Sequence, residues 1–247
     1  MRVRFLFLFI SFFFLNNSPV LAGDCNTTVT AALTEQLSCA DSDSLTVTGS
    51  ISYNQQNAVL SQQLDGVTIT NSGTIQTTTD GGDGDSAIKA QSSLNLTVTN
   101  SGTILAAEDY GIKLIEAEKV TITNEAGGTI KATPASSGSL IAIGGTKMGN
   151  CGTCLNESTS STGIGLTLYN YGTIDAGGRT VYGGNASGHT SKKTKIYNYN
   201  GGMIDATSSS AVKFQYAEDF ELYNYSGATI QTGTGNFAID LKGASTI

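Results

Sequence analysis

Asp175 and Asp205 occupy the same place in two copies of one phrase, Ile-Asp-Ala, at Ile174–Ala176 and Ile204–Ala206. Two carboxylates about 5 Å apart can cleave a glycosidic bond, one as the acid and the other as the nucleophile. Stacked strands would bring the two backbones to about 4.8 Å. Across six copies, however, this position reads Gln76, Leu105, Lys131, Asp175, Asp205 and Gln231, a succession that fits ordinary solvated surface. The one histidine, His189, lies in "GGNASGHTSKK" with no nucleophilic Ser or Cys context beside it. No catalytic residue is assigned, and an enzyme is not expected.

The run "DGGDGDS" at Asp80–Ser86 gathers three carboxylates that could offer oxygen ligands to Ca²⁺. It occurs once, and Ser86 stands where the calcium-binding nonapeptide has Asp. An acidic solvated loop is the expectation, with no metal and no cofactor. Lys192, Lys193 and Lys195 form the one basic cluster and are expected to solvate a loop edge.

The tyrosines carry a different chemistry. Tyr169 and Tyr171 flank Asn170, Tyr197 and Tyr199 flank Asn198, and Tyr223 and Tyr225 flank Asn224. Tyr offers apolar area with a polar tip, which suits stacking on a neighbouring ring or contact with a sugar or a protein. These six are the candidate binding residues, an outward aromatic face.

What must position them is a repeat. Aligned on asparagine, the copies are "VTITNSGTIQT" at Asn71, "LTVTNSGTILA" at Asn100, "VTITNEAGGTIKA" at Asn124, "LTLYNYGTIDA" at Asn170, "KIYNYNGGMIDA" at Asn198 and "ELYNYSGATIQT" at Asn224. The anchors are 29, 24, 46, 28 and 26 residues apart, and a worn copy lies at Leu45–Tyr53. Each copy holds an alternating strand, a turn at Asn and Gly, and a second short strand centred on Ile75, Ile104, Ile130, Ile174, Ile204 or Ile230. A third apolar patch such as "SAIKA" or "YGIKLI" follows. Three short strands per repeat describe one coil of a single-stranded parallel β-helix, all-β, of about six to seven coils. The long interval predicts one coil plus an extruded loop near residues 147–162.

Alternation sets the directions of the side chains. With Leu166 and Leu168 inward, Tyr169 and Tyr171 point out and Asn170 keeps the inward parity. Asn71, Asn100, Asn124, Asn170, Asn198 and Asn224 are therefore expected to form an internal ladder whose amides bond coil to coil.

The N-terminus adds a compartment. Arg2 and Arg4, the run "FLFLFISFFFL" and Val20 with Ala22 make a secretory signal peptide over residues 1–22. Its removal takes the net charge from −7 to −9, because both arginines go with it. An acidic exported chain without Trp repels nucleic acid and anionic lipid. Four cysteines allow three connectivities; their spacing and an oxidising compartment favour Cys25 with Cys39 and Cys151 with Cys154. Residues 23–44 are expected to be an N-terminal cap with its disulfide, helical around Ala31–Leu37, ahead of the β-helix over 45–247.

A signal peptide followed by "VTNSGTI", "ITNEAGGTI" and "YNYGTIDA" coils resembles the passenger region of bacterial autotransporters. The resemblance covers about residues 45–247 and implies a right-handed β-helix that is adhesin-like and outer-membrane associated, at the cell surface, in the periplasm or secreted. It implies host-cell surface proteins or glycans as partners, and a translocator barrel if the chain is a fragment. The sequence departs from that family at "LKGASTI", where neither a barrel nor an Ala-rich linker helix follows. The leading expectation is a non-enzymatic surface or secreted protein. The alternatives are a polysaccharide lyase or hydrolase on the same scaffold, and a truncated remnant without activity of its own.

Overall fold

Leu45, Ile69, Val98, Ile122, Leu168, Ile196 and Leu222 come from seven successive copies of the phrase, and each pairs in parallel register with the next. The computed structural model describes residues 23–78, 85–133, 140–149, 163–184, 191–233 and 235–242. Among them there is no helix, and the strands stack as a parallel β-solenoid with three long sheets.

The strands ending in the phrase asparagine, such as Thr68–Asn71 and Thr97–Asn100, form an eight-stranded asparagine sheet. The strands just after the turn, such as Thr74–Thr77 and Thr103–Ala106, form an eight-stranded isoleucine sheet. The third patches, Ser86–Gln91 and Tyr110–Ile115 among them, form a nine-stranded sheet that closes each turn.

One alternating pattern produces all three faces. In Thr103–Ala106 the residues Ile104 and Ala106 are buried while Thr103 and Leu105 are half-exposed. Ile51, Ile75, Ile104, Ile130, Ile174, Ile204 and Ile230 stack in register, and all but Ile230 are fully buried. Each buried Ile contributes about 1.5–3 kcal/mol relative to exposure, so this column is a principal support of the rod. Ile230 is half-exposed because it lies on the last described strand of its sheet.

The phrase glycine has its own cause. A Cβ on Gly102 would lie 2.2 Å from the carbonyl oxygen of Gly73, and one on Gly172 would lie 2.3 Å from that of Gly128. The turn after each asparagine packs directly against the backbone of the turn before it, and only glycine leaves the room.

The N-terminal segment differs from the expectation. Residues 31–37 are not helical: Thr28–Val29, Ala32–Leu33 and Leu37–Ser38 are short strands that pair in parallel with Ser44–Val47, Ser50–Tyr53 and Asn57–Gln62. The segment is thus the first turn of the solenoid rather than a separate cap. Val29 and Leu37 alternate into the core, and the waiting edge strands of the next turn override local helix preference. The Cys25–Cys39 disulfide forms across this turn as expected. The expected signal segment 1–22, the expected Cys151–Cys154 pairing, His189 and most of the loops expected at 147–162 and 80–86 lie outside the described residues. Of the acidic run, Asp85 and Ser86 are described and both are buried, contrary to a fully solvated loop.

Candidate functional site

The asparagine ladder exists and has a direction. Asn71 Nδ2 donates to Asn100 Oδ1 at 2.8 Å, Asn100 to Asn124 at 2.9 Å, and Asn124 to Asn170 at 2.9 Å. Asn170 donates to Asn198 and Asn198 to Asn224, each at 2.8 Å. The same amides also donate to strand carbonyls of the next turn, such as Thr129 for Asn100 and Thr173 for Asn124. Asn71, Asn100, Asn124, Asn170 and Asn198 are fully buried. Asn224 joins the ladder but is exposed, correcting its expected burial, because no described turn lies beyond it. At the other end Asn71 Oδ1 is buried without a partner, since Val47 holds the matching place in the preceding turn.

On the opposite parity stand the tyrosines, outward as expected. Tyr169, Tyr197 and Tyr223 are in register on adjacent strands. Their ring centroids are 5.2 and 5.0 Å apart with planes 16° and 3° from parallel. Tyr171, Tyr199 and Tyr225 form a second column at 4.5 and 4.8 Å, with planes 4° and 3° apart. The columns stand side by side, Tyr197 and Tyr199 centroids being 6.3 Å apart. The six rings make one block in which Tyr197 and Tyr199 have a ring on each face and the end rings have a ring on one. Each stack adds about 0.5–1.5 kcal/mol beyond burial, so stiffening is part of its role.

Charges at its border are paired. Lys195 Nζ lies 2.7 Å from Glu221, which also accepts the Tyr223 hydroxyl at 2.9 Å. The hydrogen bond from Lys195, followed by that from Tyr223, holds the Glu221 carboxyl below its usual range. The bond to Glu221 raises both Lys195 and Tyr223. Enclosure between rings, then the neighbouring Tyr171 and Tyr225, raises the Tyr199 phenol. Lys192 also faces a carboxylate, Glu218, at 3.9 Å. These two lysines are ion-paired rather than merely solvating an edge.

The candidate carboxylates stand as the repeat implies. Asp175 and Asp205 are register partners on adjacent strands of the isoleucine sheet. Lys131, one turn earlier in the same column, bridges to Asp175 at 2.7 Å, so the drifting column organises itself as a cross-turn ion pair.

One cluster escaped sequence reasoning. On the third sheet Tyr182 is buried beneath Arg179, whose guanidinium carbon is 4.6 Å from the ring centroid, and Lys113 sits 4.7 Å from that of Tyr110. Tyr182 comes in register with Gly144, which leaves space for it. Burial, then Tyr182 and Asp109, push the Tyr110 phenol up to about 12, with Arg179 pulling the other way. The signal was Gly144, the first glycine of "IAIGG", at an outward position. Comparisons of the chain with protein-family models, with curated proteins and with solved structures return no match.

Proposed function

We propose that this is an exported, non-enzymatic β-solenoid of the autotransporter-passenger kind, which presents a rigid surface for adhesion to host-cell proteins or glycans. The observation that carries the reading is the block of six outward tyrosines on adjacent turns. Aromatic side chains at fixed spacing on a stiff sheet supply contact area at little entropic cost, and Tyr is enriched where one surface must hold another. The signal segment and the Cys25–Cys39 disulfide both suit an exported chain.

The test is attachment. The signal-less protein is offered to glycan surfaces and to host-cell surfaces, beside a Tyr171→Ser, Tyr199→Ser double variant. Ser101 already holds the same place in an earlier turn, so the fold survives. Loss of attachment with an unchanged circular dichroism spectrum is the expected result. Equal attachment by both proteins, or none by either, removes the reading. Glycan cleavage that disappears in Asp175→Asn and Asp205→Asn variants would put the polysaccharide-enzyme reading in its place.

A further inference from the structure

The asparagine sheet carries two kinds of surface on one face. One outward column runs Thr46, Thr70, Thr99, Thr123, Tyr169, Tyr197, Tyr223 in register. The residue after each asparagine forms a second column. The N–H groups of Ser101, Glu125, Tyr171, Tyr199 and Tyr225 each donate to the carbonyl of the asparagine one turn earlier. Both columns become aromatic at the same level, between the turns of Asn124 and Asn170, where Thr123 gives way to Tyr169 and Glu125 to Tyr171. The tyrosine block therefore ends in a step. Its riser is the pair Tyr169 and Tyr171, which meet no further ring among the described residues and follow Thr123 and Glu125 of the turn above.

Exposure agrees with this geometry. In the second column Tyr171 is 39 % exposed, and the rings at the block's other end are exposed too, whereas Tyr199, with a ring on each face, is half-buried; in the first column Tyr169 is half-buried like Tyr197. Glu125 is exposed, and among the described residues its carboxylate has no ion pair and no hydrogen bond. The other carboxylate on this face, Glu221, is taken up by Lys195 and Tyr223. The step thus combines electron-rich ring faces with one negative charge that no described residue takes up, on a chain of net charge −7.

We infer that this step binds an arginine side chain of a partner polypeptide, its guanidinium laid on the faces of Tyr169 and Tyr171 and forked to the Glu125 carboxylate. Charge complementarity chooses a cation, since both the ring quadrupole and the carboxylate favour one. The planar faces choose guanidinium over ammonium, because it stacks flat while its edge N–H groups donate in pairs to a carboxylate. The Thr123 and Thr99 hydroxyls beside it accept further donors. The inference rests on the reading of this face as a contact surface and names what that surface takes.

The experiment follows the tyrosine ring signals by NMR while the protein is titrated with four probes. These are an arginine-bearing peptide, the same peptide with citrulline in place of arginine, an amino-sugar oligomer and a neutral glucose oligomer. The arginine peptide is expected to shift the Tyr169 and Tyr171 signals and to bind about 10-fold tighter than the citrulline peptide. Glu125→Gln, an exposed and isosteric change, and Tyr171→Ser are each expected to remove most of that difference, and added salt to weaken it. Equal binding of the citrulline peptide overturns the inference, as does an unaltered Glu125→Gln variant. A response to the amino sugar without the peptide overturns the arginine source. If Tyr171→Ser, Tyr199→Ser abolishes attachment to surfaces while no cationic peptide binds, the inference falls and the proposed function stands.

Discussion

The amide of Asn124 donates to Asn170 Oδ1 at 2.9 Å although 46 residues separate the two in the chain. The longest excursion in the repeat does not break the ladder. Asn170→Ala would leave the Asn124 amide and the acceptor on Asn198 short of partners in the interior. A loss of about 1–3 kcal/mol is expected, read as a lower urea midpoint with or without any ligand. An unchanged midpoint would mean that the ladder carries no stability.

The ladder also marks where polarity is tolerated inside. Val47→Asn places an amide donor against the unpartnered Asn71 Oδ1, extending the ladder by one turn. Val98→Asn buries the same side chain in a column of Ile69 and Ile122, where nothing receives it. The first variant is expected to retain a melting transition well above the second, by about 2 kcal/mol or more at equal chemistry.

Gly102→Ala drives a methyl into the Gly73 carbonyl oxygen, which backbone cannot easily yield. The expected cost is about 1–3 kcal/mol in chemical denaturation, of the overpacking kind. Gly127, which has open space around its added Cβ but a φ of 85°, separates the two effects. Its alanine variant is expected to lose only the roughly 1–2 kcal/mol of left-handed strain.

At the corner after the third sheet Gln63, Ser92, Glu116, Lys147 and Tyr216 all hold positive φ, between 51° and 57°. Glycine adopts that conformation freely, at an entropic cost of about 0.5–1 kcal/mol against a relief of about 1–2 kcal/mol. The exposed Gln63 is the clean site: Gln63→Gly is expected to hold or raise the melting temperature. Gln63→Val is expected to lower it, because a β-branched side chain fits this region worst.

Tyr110 supplies a pH dependence with a definite sign. Its phenol is pushed up to about 12 from 10.0, so the unfolded chain releases this proton first. Between pH 10 and pH 12 the folded state holds more protons, and stability falls as pH rises by at most about 2–3 kcal/mol. The tyrosinate absorbance of the native protein is expected to end in a late step that Tyr110→Phe removes. A wild-type titration with no such step would show that the phenol is not enclosed.

The parallel solenoid and the two parities of the phrase were legible in the sequence, because a local period dictates them. Alternation turns Val98 inward and Thr99 outward, and repetition at matched phase aligns Asn with Asn and Tyr with Tyr. Other features were decided only by tertiary structure. Residues 31–37 carry no strong local signal, and they became strand because the edge of the next turn offered hydrogen bonds. The pairing of Asp175 with Lys131 and the burial of Tyr182 over Gly144 depend on which turns stack. The step at Tyr169 and Tyr171 follows the same logic. Each side chain points where its own strand directs it, but which ring faces remain open depends on the size of the neighbour one turn away. Spacing along a chain does not state that contact; stacking at about 4.8 Å creates it.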